Sequence, residues 1–522
     1  MAQGVRPPAT IIDSFDGLGV GFTGPQGSFA GRNPSDNSLA VGPDHIVQTV
    51  NSRLAIYTKK GKRFDTTGRV LYGAVATNAV FSGLGGPCQI SNNGDAVVRY
   101  DQLANRWLIV MPIFRRIPLS ELPPRSPIAH PAPPGQLAAA GQASDPGAAV
   151  ALPANPPQPP APPERGQSPS PRPSATPPPP PGTYAMCYAV STTSDPLGPY
   201  YRYAFERPLF PDYPRPAIWP DGYYVPTSTG DNVIQKHACV VDRASMLAGR
   251  PATEQCIVID GVNFLNNADI DGVTLPPAGA PNIMMAAGGT QLQHVLGDDG
   301  IFAWNFHVDW RTPGKTKVSG PVKVDVAPYQ YLCGGQLTNC VPQPGTDRRL
   351  DAQGDKLMQR LVYRRIGGHE SIVAVQSVAT TSGGGGVRWY EFRLDAKRNP
   401  IVYQQGTYAP DGFYRWMASI GIDRRGNIGV GYSFGGAPNF AGQRFAARLA
   451  GDPRGRLTLR ETLLVEGEGA QTTTLRWEDY TTTAMDPSDD CMFWYTGDYI
   501  KKDAASYSSR IGSFRLPGCR AR

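Results

Sequence analysis

Charged residues are scarce: Asp, Glu, Lys and Arg make up 18% of the 522 positions and nearly cancel, leaving a formal net charge of +7. The longest basic cluster is TKKGKR at 58–63, so the chain lacks the gathered cationic face with stacking aromatics that nucleic-acid binding requires. No run approaches the roughly 18 apolar residues of a membrane-spanning helix. There is no C-x2-C pair at zinc spacing. The six histidines (45, 130, 237, 294, 307, 369) stand singly, none with a second at ligand spacing. The opening MAQGVRPPAT has no basic stretch followed by an apolar one, so a cleaved export signal is expected to be missing from this sequence. Helical periodicity is almost wholly absent.

Turn formers are abundant instead, with 59 glycines and 53 prolines. Many of the prolines fall in 118–182, around PANPPQPPAPPERGQSPSPRPSATPPPPPG. Such a stretch cannot bury enough apolar surface to offset its ordering entropy, which predicts disorder or polyproline II. NRWLIVMPIF before it and TYAMCYAVSTT after it read as two arms of one hairpin. The segment is therefore expected to be a surface insertion, with 1–117 and 183–522 forming one domain around it. It is either an inert spacer or the docking strand of an adhesin.

Eight cysteines point to disulfides and an oxidising compartment, here secreted, periplasmic or cell-surface. Cys333 and Cys340 bracket a short turn, Cys239 and Cys256 flank two connected strands, and Cys491 and Cys519 sit in the last two strand-like runs. Cys88 and Cys187 pair by elimination. The chain is expected to be a monomer.

A unit recurs along the chain: an apolar strand, an Asp/Pro/Gly turn, then a strand rich in β-branched and aromatic residues. It is clear in SLAVGPDHIVQTV (38–50), AVVRYDQLANRWLIV (96–110), RPAIWPDGYYVPTS (215–228), MASIGIDRRGNIGVGYS (417–433) and TTAMDPSDDCMFWYT (482–496). Weaker copies are VTLPPAGAPNIMMAA (273–287) and KLMQRLVYRRIGGHESIVAVQ (356–376). Seven units of about 65 residues, once the insertion is removed, predict an all-β propeller of seven blades, with six as the alternative count. A two-sheet sandwich would not require such regular repetition.

RWEDYTTTAMDPSDDCMFWYT, VGPDHIVQTVNSRLAIYTKKG, FPDYPRPAIWPDGYYV and AVSTTSDPLGPYYRY resemble segments of uncharacterised secreted bacterial β-propeller proteins of the sialidase-like (BNR/Asp-box) type. TTSDPLGPYY (192–201) is similar to a degenerate Asp-box, which implies that Asp195 caps the turn's amides. A sialidase would further need an arginine cluster. The one RIP string, Arg116–Pro118, abuts the insertion rather than a channel-facing position.

Ahead of the first strand in six units stands an aspartate: Asp36, Asp95, Asp212, Asp271, Asp355 and Asp479. Arg415 fills the slot in the sixth unit. Innermost propeller strands all run the same way about the axis, so these residues should converge on one channel mouth. Clustered carboxylates repel each other strongly. A bound cation, added protons, or cations such as Arg415, Lys356 and Arg476 would relieve that repulsion.

Three readings stay open. Each Asp caps the turn leading into its strand. Alternatively, the mouth binds a carbohydrate or a cell-surface or matrix polymer through Asp36, Asp95, Asp212, Tyr213, Asp271, Asp355, Tyr414, Arg415, Trp416, Arg476, Asp479 and Tyr480. Oxygen-only ligands from Asp95, Asp271, Asp355 and Asp479 would suit Ca²⁺. In the third reading Asp479 and Asp212 perform glycosidase acid/base chemistry beside Tyr480. The aromatics of FWYTGDY, RWYEF and GYYV are expected to fill the spaces between blades, and GYSFG (431–435) reads as strand rather than a nucleophile elbow.

Overall fold

Alternating strands punctuated by Asp, Gly and Pro turns fold into antiparallel blades, four-stranded except for blade three, whose sheet has five strands. The computed structural model describes residues 3–117, 183–228, 235–262, 264–288, 299–335 and 339–519. The predicted insertion at 118–182 lies outside the described residues, as does the proline of the RIP string. Its two flanks, Arg106–Ile117 and Thr183–Ser191, pair antiparallel as expected, with Met111 opposite Cys187.

Seven blades follow in chain order. Their innermost strands are Ser38–Val41, Val97–Asp101, Ala217–Trp219, Asn266–Ile270, Leu361–Ile366, Tyr414–Ile422 and Thr482–Met485. Each pairs outward with the strand that follows it. The innermost strands of blades four and five also pair with each other in parallel, Ala268 opposite Leu361, joining two blades in one eight-stranded sheet. The ring is closed by the chain's beginning. Thr10–Gly19 is the outermost strand of blade seven, antiparallel to Ser508–Arg515, with Phe15 opposite Ile511. That places the first and last strands in one sheet, and no open sandwich is formed.

Aromatic rings fill the gaps between blades. Trp107, Trp219, Trp389, Trp416, Trp477 and Trp494 are all fully buried. Trp219 of blade three meets Tyr363 of blade five at 4.9 Å, and Phe445 of blade six meets Phe493 of blade seven at 5.9 Å. Phe493, Trp494, Tyr495, Trp389, Tyr390, Tyr223 and Tyr224 are likewise buried, as the strand spacing predicts. At Gly431 a Cβ would sit 2.3 Å from the Tyr495 ring, so the close approach of blades six and seven requires glycine there.

All four expected disulfides are present: Cys88–Cys187, Cys239–Cys256, Cys333–Cys340 and Cys491–Cys519. Cys239 and Cys256 face each other directly across adjacent strands.

One element departs from the reading of the sequence. The innermost strand of blade four is Asn266–Ile270, and Val273–Ala280 is the loop that follows it. Its buried asparagines hide the strand from a search for apolar runs. Asn267 donates to the Asn282 side chain at 2.9 Å and Asn266 to the Leu357 carbonyl at 3.1 Å.

Candidate functional site

Near each innermost strand, ahead of it in six blades and inside it in blade six, a non-glycine residue adopts the left-handed region. Asp36 (φ 50°), Asp95 (51°), Tyr213 (54°), Phe264 (41°), Gln353 (46°), Met417 (48°) and Asp479 (62°) mark the seven blades, and Glu478 (60°) doubles the last. Each such residue costs on the order of 1 kcal/mol. Because the conformation recurs in every blade, it belongs to the fold, and ahead of the six strands it aims these residues at one mouth of the channel.

Three aspartates there are linked from blade to blade. Asp36 Oδ2 accepts the Asp95 amide at 3.3 Å, and Asp95 Oδ2 accepts the Tyr213 amide at 3.3 Å. Asp212 Oδ1 takes the same Tyr213 amide at 2.9 Å. Of the three, only Asp212 accepts an amide of its own turn, as the capping reading expects; Asp36 and Asp95 accept amides of the next blade instead. The carboxyls of Asp36 and Asp212 both lie within electrostatic reach of Asp95. Tyr480 donates its hydroxyl to Asp95 Oδ2 at 3.1 Å.

Burial, then the Asp95 charge, pushes Asp36 well above the carboxylate range and Asp212 up to about 8. Burial also raises Asp479, against the lowering pull of Arg476 and Lys356. Asp479 is held by Arg476, by Gln353 Nε2 at 2.9 Å, and through its carbonyl by the Tyr213 hydroxyl. Asp351, absent from the sequence reading, joins this group. Its Oδ1 accepts the Trp477 amide at 2.9 Å, its Oδ2 lies 3.2 Å from Arg476 Nε, and burial followed by the Asp479 charge raises it to about 7.

Across Tyr213 the mouth changes sign. Asp355 pairs with Lys356 at 2.9 Å. Arg215 and Lys236 lie beside Lys356, and all three cations are buried around Phe264. Burial lowers the pKa of both lysines, with the Arg215 charge adding to the effect. Arg215, Lys236 and Phe264 were not singled out from sequence. Arg215 stands in the run YPRPAIW, immediately ahead of the strand of blade three, where position alone marks it.

Five of the six expected aspartates thus gather at this mouth, and the sixth does not. Asp271 follows its innermost strand rather than preceding it, so it lies at the opposite end of the channel. There Arg360 Nη2 donates to Asp271 Oδ1 at 2.6 Å and Arg360 Nε to Asp269 Oδ2 at 2.6 Å. Asp271 therefore cannot share a cation with Asp95, Asp355 and Asp479.

Blade six also departs from the expectation. Met417, buried inside the strand at the irregularity between Trp416 and Ser419, takes the left-handed conformation there. Arg415 is fully buried between Glu461 (2.7 Å) and Asp411 (2.8 Å). Trp416 is buried 6.2 Å from Trp477, and Tyr414 is half-buried with its hydroxyl near the Gly383 carbonyl at 3.4 Å. Lys356 and Arg476 do face the mouth.

Ser433 of GYSFG is buried in a strand, donating to Glu478 Oε2 at 2.8 Å, with no helix after it. Asp195 caps its turn through the Leu197 amide at 3.0 Å. Among the described residues, the group of three potential metal ligands whose atoms lie within 4.8 Å of one another is His237, Cys239 and Cys256. Its two cysteines are joined in a disulfide, which removes them as thiolate ligands.

No family model matches the chain, and no curated protein matches it by sequence. Among solved structures it is similar to the WD40 domain of SCAP from fission yeast, at 6% identity over 65% of this chain and 72% of that one, with a TM-score of 0.28. It is also similar to 1,3Gal43A, an exo-beta-1,3-galactanase from Clostridium thermocellum, at 9% identity over 84% and 80%, with a TM-score of 0.30. The propeller half of the expected resemblance is present in the chain's own sheets. Its sialidase-like half gains no sequence match.

Proposed function

We propose that this is an exported binding module whose channel mouth takes a hydroxyl-rich ligand, a carbohydrate or a surface or matrix polymer. The observation that carries the reading is the set Asp36–Asp95–Asp212, linked through the Asp95 and Tyr213 amides beside the Tyr213–Tyr480 stack. Asp36 and Asp212, whose pKa values are raised, can both donate and accept, which suits sugar hydroxyls. Asp36 Oδ1, buried and without a hydrogen-bond partner among the described residues, is a waiting acceptor. The four disulfides favour an oxidising, extracellular compartment. Glycan-array binding that is lost in Asp95→Asn but kept in Asp271→Asn would support the assignment. Equal loss in both, or binding to no glycan, would sink it.

Ca²⁺ is the cation these oxygens would take, held by Asp36, Asp95 and Asp479 rather than by the set that included Asp271. It would have to displace the protons that the raised Asp36 and Asp479 carboxyls hold. A chelator should then lower the melting temperature above about pH 8 and leave it unchanged near about pH 5.

A hydrolytic reading rests on one feature, the Asp212 carboxyl raised to about 8 beside Asp95. That is the environment of a general acid, with Asp479 as the second carboxylate and Tyr480 alongside. Turnover of fluorogenic glycosides that vanishes in Asp212→Asn and Asp479→Asn would favour it over binding alone.

A further inference from the structure

Three cations crowd one aromatic ring. Arg215 Cζ lies 5.2 Å from the centroid of Phe264, Lys236 Nζ 5.1 Å and Lys356 Nζ 3.9 Å. Arg215 is 3% exposed, Lys236 1% and Lys356 0%. Buried charges are costly unless paired and hydrogen-bonded. The carboxylate that acts on all three is Asp355, with Asp212 reaching Lys236 and Asp479 reaching Lys356. Cation–π contacts with Tyr213 and Phe264 offset part of the cost.

The hydrogen bonds are incomplete on one edge. Arg215 Nη1 donates to the carbonyls of Leu357 at 2.9 Å and Phe264 at 3.2 Å. Its Nε and Nη2 make no hydrogen bond among the described residues. The Tyr213 hydroxyl oxygen approaches this guanidinium without meeting hydrogen-bond geometry, and its proton goes to the Asp479 carbonyl. Lys236 Nζ donates to Ser228 Oγ at 3.2 Å. Nε and Nη2 form the side of a guanidinium whose two parallel N–H groups match two oxygens of one oxyanion.

We infer that the basic half of the mouth is an anion-binding subsite, in which Arg215 Nε and Nη2 grip two oxygens of a carboxylate or phosphate and Lys236 and Lys356 supply charge. Tyr213 separates this subsite from Asp36 and Asp95, whose carboxyls would repel the anion. Asp355 remains beside Lys356, while the raised pKa values of Asp212 and Asp479 lessen the negative charge opposing the three cations. The anion is either free or carried on the ligand of the mouth, and the chemistry of the grip is the same in both. The subsite does not depend on the carbohydrate reading, because inorganic phosphate alone tests it.

The test is a melting-temperature titration of the full chain at constant ionic strength, held by a bulky sulfonate salt. Phosphate should raise the melting temperature saturably, as a ligand confined to the folded state does. In Lys236→Met the half-saturating concentration should rise about tenfold, the effect of losing one charged hydrogen bond. Glucuronate acting where glucose does not would place the anion on the ligand, and a response to phosphate alone would make it a free ion. A flat response to both phosphate and glucuronate overturns the subsite, as does an unchanged half-saturation in Lys236→Met. If that variant does not fold, the wild-type response to phosphate decides.

Discussion

The ring of Tyr213 lies on the ring of Tyr480, centroids 4.2 Å apart and 24° from parallel. One comes from blade three and the other from blade seven, so the stack bridges the mouth of the channel. It separates acid from base: the Tyr480 hydroxyl serves Asp95, and Arg215 and Lys356 lie over the Tyr213 ring at 4.5 and 5.0 Å. Removing either ring would join the two halves.

Tyr480→Phe keeps the stack and deletes one donor to Asp95. The expected loss is about 1 kcal/mol, the usual worth of such a bond. Tyr480→Ala should cost about 3–5 kcal/mol by opening a cavity beneath Tyr213. Denaturant midpoints of the two variants check the difference, and equal losses would mean the ring does not pack as described.

The melting temperature should fall as the solution becomes alkaline. Asp36, Asp212, Asp351 and Asp479 are raised in the folded chain, so folding takes up protons. Their contribution is complete below the ordinary carboxylate range and drains away as pH rises through about 7 for Asp351 and about 8 for Asp212. Glu461 has the opposite sign. Burial would raise it, but Arg415's hydrogen bonds and charge win and hold it low, so its contribution disappears in acid. Calorimetry should place the optimum on the mildly acidic side of neutral, and Asp212→Asn should flatten the alkaline limb.

Arg415 separates structure from function. Arg415→Met leaves Glu461 with the Tyr432 hydroxyl and the longer Arg444 contact at 3.3 Å, at an expected cost of about 3 kcal/mol. Ligand binding at the mouth should persist in the fraction that folds. Loss of binding in a variant of wild-type stability would return Arg415 to the site.

Closure by Thr10–Gly19 makes the chain's beginning indispensable. Deleting residues up to Gly19 exposes the edge of Ser508–Arg515, leaving a ladder of unpaired backbone groups. The truncated chain should melt well below the full chain or associate through that edge, as size-exclusion chromatography would show.

Replacing 118–182 with a two-residue turn should preserve folding, because Ile117 and Thr183 already stand opposite each other. Loss of glycan binding in that variant, with its melting temperature unchanged, would assign the insertion a docking role.

The repeat was legible because each blade's first hairpin carries its own turn chemistry: PD in 38–50, DQLAN in 96–110, PDG in 215–228 and DPSDD in 482–496. Closure through Thr10–Gly19 was not, since the pairing joins residues at opposite ends of the chain. Asp36, Asp95, Asp212, Asp355 and Asp479 were found because a strand's start fixes where it meets the axis. Asp271 was misplaced by one strand length, because Asn266 and Asn267 carry no apolar signal for the strand they open.

Local sequence therefore determined the strands, their turns and the approximate number of blades, since these depend on neighbours within a few residues. It also supplied the aspartates at the strand starts. Which charges share a space was decided by ring closure, which brings Asp479 to Gln353, Tyr213 to Asp95, and three cations to Phe264. Electrostatic energy depends on distance and burial, and neither is set until the seventh blade meets the first.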